Sequence, residues 1–168
     1  MSQFREIAPQ VLTDNVFTQV GKEWMLITAG DERKFNTMTA SWGGFGVLWN
    51  QNVSFIFVRP GRYTFQFLER GEHYSLSFLG DEHRRALQIC GTKSGRDTDK
   101  VKEAGLTPVW GEAAPYFEEA RLVFQCRKLY IQDLDPKGFL DPALSGFYEN
   151  DYHRVYVGAI EKVLRRED

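Results

Sequence analysis

Between Phe35 and Thr64 the chain gathers side chains that suit one kind of ligand. Asn36, Thr37, Thr39 and Ser41 place short donors and acceptors along a single stretch, with Met38 among them. Trp42 and Trp49 add flat apolar faces, and Gly43, Gly44 and Gly46 lie between them. Arg59 and Arg62 bracket Pro60-Gly61, where a helix is expected to begin, and Thr64 follows. A helix N-terminus is mildly unfavourable for cations and favourable for anions, so arginines placed there point to a bound anion. Farther along, Lys93 and Ser94 sit in a polar, glycine-flanked run, Gly91–Lys100. A ligand with an aromatic ring system at one end and a phosphate at the other fits this set. Its phosphate would take charge-assisted bonds, and its ring a hydrogen-bonding edge and apolar walls.

Each residue also has a plainer reading. A threonine-rich strand satisfies β propensity with no ligand at all. Arg59 and Arg62 also read as surface charges. Trp42 and Trp49 fit a ring wall, a core or a subunit interface equally well. Cys90 and Cys126 read as core residues, and His73 and His83 as surface or strand residues. His153, after Tyr152 at the start of a strand, reads by itself as a satisfied structural histidine. No C-x-x-C, G-x-G-x-x-G, Walker loop or H-E-x-x-H occurs, so no metal is expected and no dedicated dinucleotide unit is present.

Composition narrows the class. The chain has 168 residues, enough for one domain with a real core, and residues 1–168 are read as a single domain. Aromatic residues make up 14%, with 13 Phe, which suits a β-rich core or a ring-binding site. A net charge of -2 gives no reason to expect nucleic acid or an anionic membrane. No stretch is long and apolar enough to span a bilayer. The first ten residues carry no secretion pattern, so a cytoplasmic location is expected.

The elements that must hold these residues are mostly strands. Val20–Ala29 and Asn36–Trp42 flank a charged turn, Gly30–Lys34. The glycines after Trp42 predict a bulge, a bend or close backbone approach. Val53–Val58 is the clearest strand and is apolar enough to be covered on both faces. Arg62–Glu69 predicts a short helix closed by Gly71, and His73–Leu79 a strand. Asp81 is expected to cap a helix over Glu82–Cys90 that stops at Gly91. Ala86, Leu87 and Cys90 form its inner face. Asp97 or Thr98 is expected to cap a short helix ending at Gly105. Arg121–Asp133 predicts a long strand whose apolar phase breaks near Arg127-Lys128, the sign of a bulge. Pro136–Leu144 predicts a helical turn, and His153–Leu164 a last strand. Six or so strands with short helices between them make a mainly β chain, a closed or partly closed barrel.

Three blocks carry a resemblance. They are Asn36-Thr37-Met38-Thr39-x-Ser41-Trp42, then Arg59-Pro60-x-Arg62-Tyr63-Thr64, then Gly91-x-Lys93-Ser94-Gly95-Arg96-Asp97-x-Asp99-Lys100. In this order they resemble the flavin reductase-like FMN-binding split-barrel family, flavoredoxins included, across residues 15–165. The resemblance implies a Greek-key split barrel and a homodimer with FMN at the subunit interface. It places Arg59, Arg62, Thr64, Lys93 and Ser94 around the phosphate and ribityl chain, and sets His153 beside the flavin or a nicotinamide. It implies an oxidoreductase that moves a hydride from NADH or NADPH through FMN to free flavin or another acceptor. The alternative is an electron-transfer protein of flavoredoxin type that works with a redox protein partner. A third reading is a barrel that acts through its dimer surface and binds FMN loosely or not at all.

Overall fold

The computed structural model describes residues 3–167. Ten strands run in the order β1 (Phe4–Ile7), β2 (Met25–Gly30), β3 (Phe35–Ala40), β4 (Gly43–Leu48), β5 (Gln51–Val58), β6 (His73–Leu79), β7 (Pro108–Val109), β8 (Tyr116–Phe117), β9 (Ala120–Asp133) and β10 (Arg154–Arg166). Four short α-helices lie between them: α1 (Val16–Thr18), α2 (Tyr63–Arg70), α3 (Arg84–Thr92) and α4 (Lys100–Glu103). The main sheet is antiparallel, in the order β3-β2-β6-β9-β10-β5-β4, with β1 pairing the far half of β10.

Strands β3 and β4 are opposite ends of that path, yet only Ser41 and Trp42 join them. Three Cα–Cα steps span at most about 11 Å. The sheet therefore has to roll up until its two edges nearly meet. Among the described residues no ladder joins β3 to β4, so the barrel stays split along that seam. The non-sequential strand order gives the Greek-key connections that the resemblance implies.

Alternation sorts the core into two layers. Met25 and Ile27 of β2, and Leu122, Phe124 and Cys126 of β9, fill the barrel interior. Leu26 and Val123, one residue out of phase, pack outside against Ala86, Leu87 and Cys90 of α3. Inside, the hydroxyls of Ser54 and Tyr74 lie 2.6 Å apart, so the buried phenol is satisfied. Gly158 gives it room, because a Cβ there would collide with the Tyr74 hydroxyl.

Most expected elements are present, with several corrections. Val20–Glu23 is not strand: Gln19–Glu23 forms a π-helical turn continuing α1, and β2 starts at Met25. The glycines after Trp42 do not bend the chain away but form β4. Gly43 has φ 140°, and a Cβ there would stand 2.7 Å from the Phe55 carbonyl oxygen. Strand β4 then turns into β5 through Trp49 (φ 52°) and Asn50 (φ 56°), the left-handed pair of a tight hairpin. Asp81 does not cap α3; a 3-10 turn, Asp81–His83, precedes it. Gly91 continues α3 to Thr92, and its missing Cβ admits Thr39, whose own Cβ would lie 3.2 Å away. Asp99, rather than Asp97 or Thr98, caps α4 by accepting from the Lys102 amide. The bulge in β9 lies where expected: the pairing with β10 skips Leu129 between Lys128 and Tyr130. Pro136–Leu144 resolves into two 3-10 turns, Pro136–Gly138 and Pro142–Phe147.

Candidate functional site

The three sequence blocks meet beside the seam, along two pockets of about 180 Å³ each that share Arg62. One end is lined by Met38, Thr39, Ser41, Trp42, Arg59 and His153, with Ala40 and Phe57 completing the wall. The other is lined by Asn36, Arg62, Thr64, Lys93 and Ser94, with Tyr63 and Lys100 beside them. The run Met38–Ser41 borders the first end with residues of both parities. A strand shows both parities to one pocket only when its edge, not its face, forms the wall. Among the described residues strand β3 pairs only with β2, so that edge offers unpaired backbone donors and acceptors.

The second end is built around a turn and two helix termini. The Arg62 amide donates to the Arg59 carbonyl (3.1 Å), closing the turn that starts α2. Asn36 is buried and donates to the Thr64 hydroxyl (2.8 Å) and the Thr37 carbonyl (3.3 Å). Gly95 sits against it, because a Cβ there would strike Asn36 Oδ1. Lys100 is 3% exposed and donates to the carbonyls of Cys90 (3.0 Å) and Lys93 (3.1 Å), which ties the 93–100 loop to the end of α3. Burial, with the charge of Arg62 adding to it, lowers the Lys100 ammonium to about 8. Ser94 Oγ accepts from the Arg96 amide, and Arg96 lies over the Tyr63 ring, 5.0 Å from its centre. At the junction, Arg62 Nη2 is buried with no hydrogen-bond partner among the described residues. Burial lowers its guanidinium from the ordinary value. A desolvated cation with an unused donor, facing a second cation across a pocket, suits an oxyanion.

The first end is aromatic. Trp42 stands edge-on to Phe147 (5.4 Å) and 5.3 Å from His153. His153 is buried, and its Nδ1 lies 2.7 Å from the Tyr148 hydroxyl. Burial first, and then the charge of Arg59, push its imidazole down to about 4, so the ring is neutral at neutral pH. Arg59 Nη1 pairs with Asp151 (2.8 Å), its Nη2 donates to the Phe147 carbonyl (2.9 Å), and its plane covers Tyr148 (4.8 Å).

All the predicted site residues line this groove except Thr37. Its hydroxyl is turned to the opposite face, 2.9 Å from that of Thr28 and bonded to the Ile27 carbonyl (3.2 Å). Thr39 lines the groove but spends its hydroxyl proton on the Leu87 carbonyl (2.5 Å). Arg59 belongs to the aromatic end and is committed to the 147–151 loop, not to the anion end. Lys93 is at the anion end but pairs with Glu103. Trp49 lies away from the groove, edge-on to Tyr130 at 6.1 Å. Lys100 and Tyr148 are what residue reasoning passed over. Lys100 closed the third quoted block and carried that signal; nothing local marked Tyr148.

A split antiparallel barrel with a groove running from an aromatic end to a cationic end defines a class of proteins. This chain belongs to the flavin reductase like domain family, whose model matches residues 17–168. Among solved structures it is similar to flavoredoxin from Methanosarcina acetivorans, with a TM-score of 0.67 and 22% identity over 84% of this chain and 67% of that one. It is similar also to an FMN-binding domain of a flavin reductases-like enzyme from Shewanella baltica, with a TM-score of 0.70 and 11% identity over 98% and 78%. A third likeness is to an NADH:FAD oxidoreductase from Streptomyces globisporus, with a TM-score of 0.64 and 19% identity over 86% and 78%. At these identities the likeness is one of fold. No curated protein matches the chain.

Proposed function

We propose that this chain binds FMN in the groove and works as a flavin reductase-type oxidoreductase, taking a hydride from NADH or NADPH and delivering electrons to free flavin or another acceptor. The observation that carries the reading is the unpartnered, buried Nη2 of Arg62 where the aromatic and cationic ends meet. Arg62, Lys100 and the first amides of α2 take the phosphate, with Ser94, Lys93 and Thr64 around it and the ribityl chain. The open edge of β3 from Asn36 to Ser41 holds the polar edge of the ring, and Met38, Trp42 and Phe57 shield its faces. Neutral His153, oriented by Tyr148, stands at the ring end as a hydrogen-bonding group for a nicotinamide or acceptor. When bound, FMN supplies the hydride and electron chemistry, so no protein acid or base is demanded.

Exposed Trp42 and Phe147 beside the groove favour a homodimer in which a second copy covers the ring end. The same exposed edge also suits a redox protein partner, as in an electron-transfer protein of flavoredoxin type. We place the protein in the cytoplasm, where its two buried free cysteines stay reduced. Among the described residues no helix is long and apolar enough to cross a membrane.

The test is the visible spectrum of the protein with FMN, followed by anaerobic NADH and NADPH in turn. Bound, bleachable flavin is expected with one nicotinamide. Bleaching only when a reductase is added selects the electron-transfer reading, and failure to bind FMN ends both.

A further inference from the structure

A second cleft, of about 280 Å³, opens at the other end of the barrel and shares no lining residue with the groove. On β5 the groove is reached at Phe57 and the cleft at Asn52. Five residues of extended strand separate them by roughly 17 Å. The walls are Leu12, Val16, Phe45, Phe124 and Ile160. Phe45 and Phe124 stack, with ring centres 4.5 Å apart and planes 26° apart.

Into this apolar cleft the chain places Gln19, which is 4% exposed. Its backbone amide donates to the Asn15 carbonyl (2.8 Å), but side-chain Nε2 is buried with no partner among the described residues. A buried amide left unpaired costs about 1–3 kcal/mol, so a donor held this way beside apolar walls calls for an acceptor. Among the described residues Asp14 is the one charged residue in the lining, and it is paired with Arg121 at 2.9 Å. With no cation described in the lining, an anionic ligand would find no counter-charge there.

We infer that this cleft is a binding site for a small neutral cyclic or aromatic molecule that presents one hydrogen-bond acceptor, a ketone, aldehyde or amide, to Gln19 Nε2. A cavity of about 150 Å³ already admits benzene, so the cleft accepts one ring with a substituent but not a flavin. The site stands apart from the flavin groove, and its failure would leave the flavin reading untouched.

The test uses the full chain loaded with FMN and NMR titration with three probes: acetophenone, toluene and benzoate. Acetophenone is expected to move the Gln19 side-chain amide and the backbone resonances of Gly46 and Asn52. Toluene should bind there about tenfold more weakly, the worth of one neutral hydrogen bond, and benzoate more weakly still. Gln19→Met, which keeps the volume and removes the donor, should abolish the preference for acetophenone over toluene while the flavin spectrum is unchanged. The proposal is overturned if acetophenone shifts only residues around His153, or if the preference survives Gln19→Met. It is equally overturned if the cleft resonances answer to protein dilution and not to any probe, since a second copy of the chain would then be what covers it.

Discussion

The two ends of the groove are made differently. The cationic end rests on helix termini and buried polar contacts: Asn36 on Thr64, Lys100 on two carbonyls, Gly95 pressed on Asn36. Its geometry is fixed before any ligand arrives, and its cost is a desolvated arginine with an idle donor. The aromatic end rests on a strand edge, a two-residue corner and a loop held by Arg59, with Trp42 and Phe147 half open to solvent. Charge recognition needs donors aimed in advance, because desolvating them afterwards is expensive. A flat ring needs only walls, and walls can close late.

The largest expected effect therefore falls on Arg62. Losing hydrogen bonds to a charged group costs about 1.5–3 kcal/mol, so Arg62→Met should weaken FMN binding about 10- to 100-fold by fluorescence titration. The same change should raise the thermal midpoint of the FMN-free protein, since it removes a buried donor without a partner. A stable variant with unchanged affinity would erase the difference between the ends.

Lys100 comes next. Its folded-state value of about 8 lies below the ordinary 10.5 of a lysine, so the folded protein loses this charge as pH rises through about 8. FMN affinity should fall across that interval, by up to about tenfold, the worth of one charge-assisted bond. Stability of the FMN-free chain should move the other way, rising with pH between about 8 and 10.5, where the unfolded chain holds the extra proton. Lys100→Met should flatten both curves, and an unaltered affinity curve in that variant would assign the dependence elsewhere.

At the aromatic end the effects should be smaller and of another kind. Asp151→Asn releases Arg59 and loosens the 147–151 loop. An exposed pair is worth about 0.2–1 kcal/mol, so the KM for the nicotinamide should rise no more than about fivefold, with FMN affinity unchanged. A fall in FMN affinity as large as that of Arg62→Met would mean that the loop, too, grips the phosphate.

How much of this was legible in the sequence follows the same divide. Alternation and turn chemistry revealed β5, β6, the charged turn before β3 and the bulge beside Lys128, because each is a local pattern with a local cause. The glycine-rich β4 does not read as a strand, but the close backbone approach its glycines suggest is there, Gly43 against Phe55 across the ladder. Gly91 looked like a helix stop because the contact that requires it, Thr39, is far away in sequence. The meeting of the three blocks was legible through the resemblance, and the structure brings them together. Individual roles were not. Thr37 and Thr39 look alike in sequence, and only strand parity and the position of α3 decide which one reaches the groove. The pairing of Arg59 was hidden because its partner, the 147–151 loop, lies about ninety residues later.

His153 gives an effect of another kind, on stability and not on affinity. Its imidazole is held near 4 in the folded chain against an ordinary 6.5, so between those values the unfolded chain binds a proton that the folded chain refuses. Stability should therefore decrease as pH falls from about 6.5 toward about 4, and the contribution is complete above 6.5. Subtracting the denaturation curves of His153→Gln from those of the parent isolates this slope from carboxylates, whose pairs fail at lower pH. The cause is burial first and the charge of Arg59 second, with the charge of Asp151 opposing them. Arg59→Met should accordingly reduce the slope. If His153 titrates at its ordinary value, water reaches the aromatic end freely, and that end would need a second subunit or a ligand to close it at all.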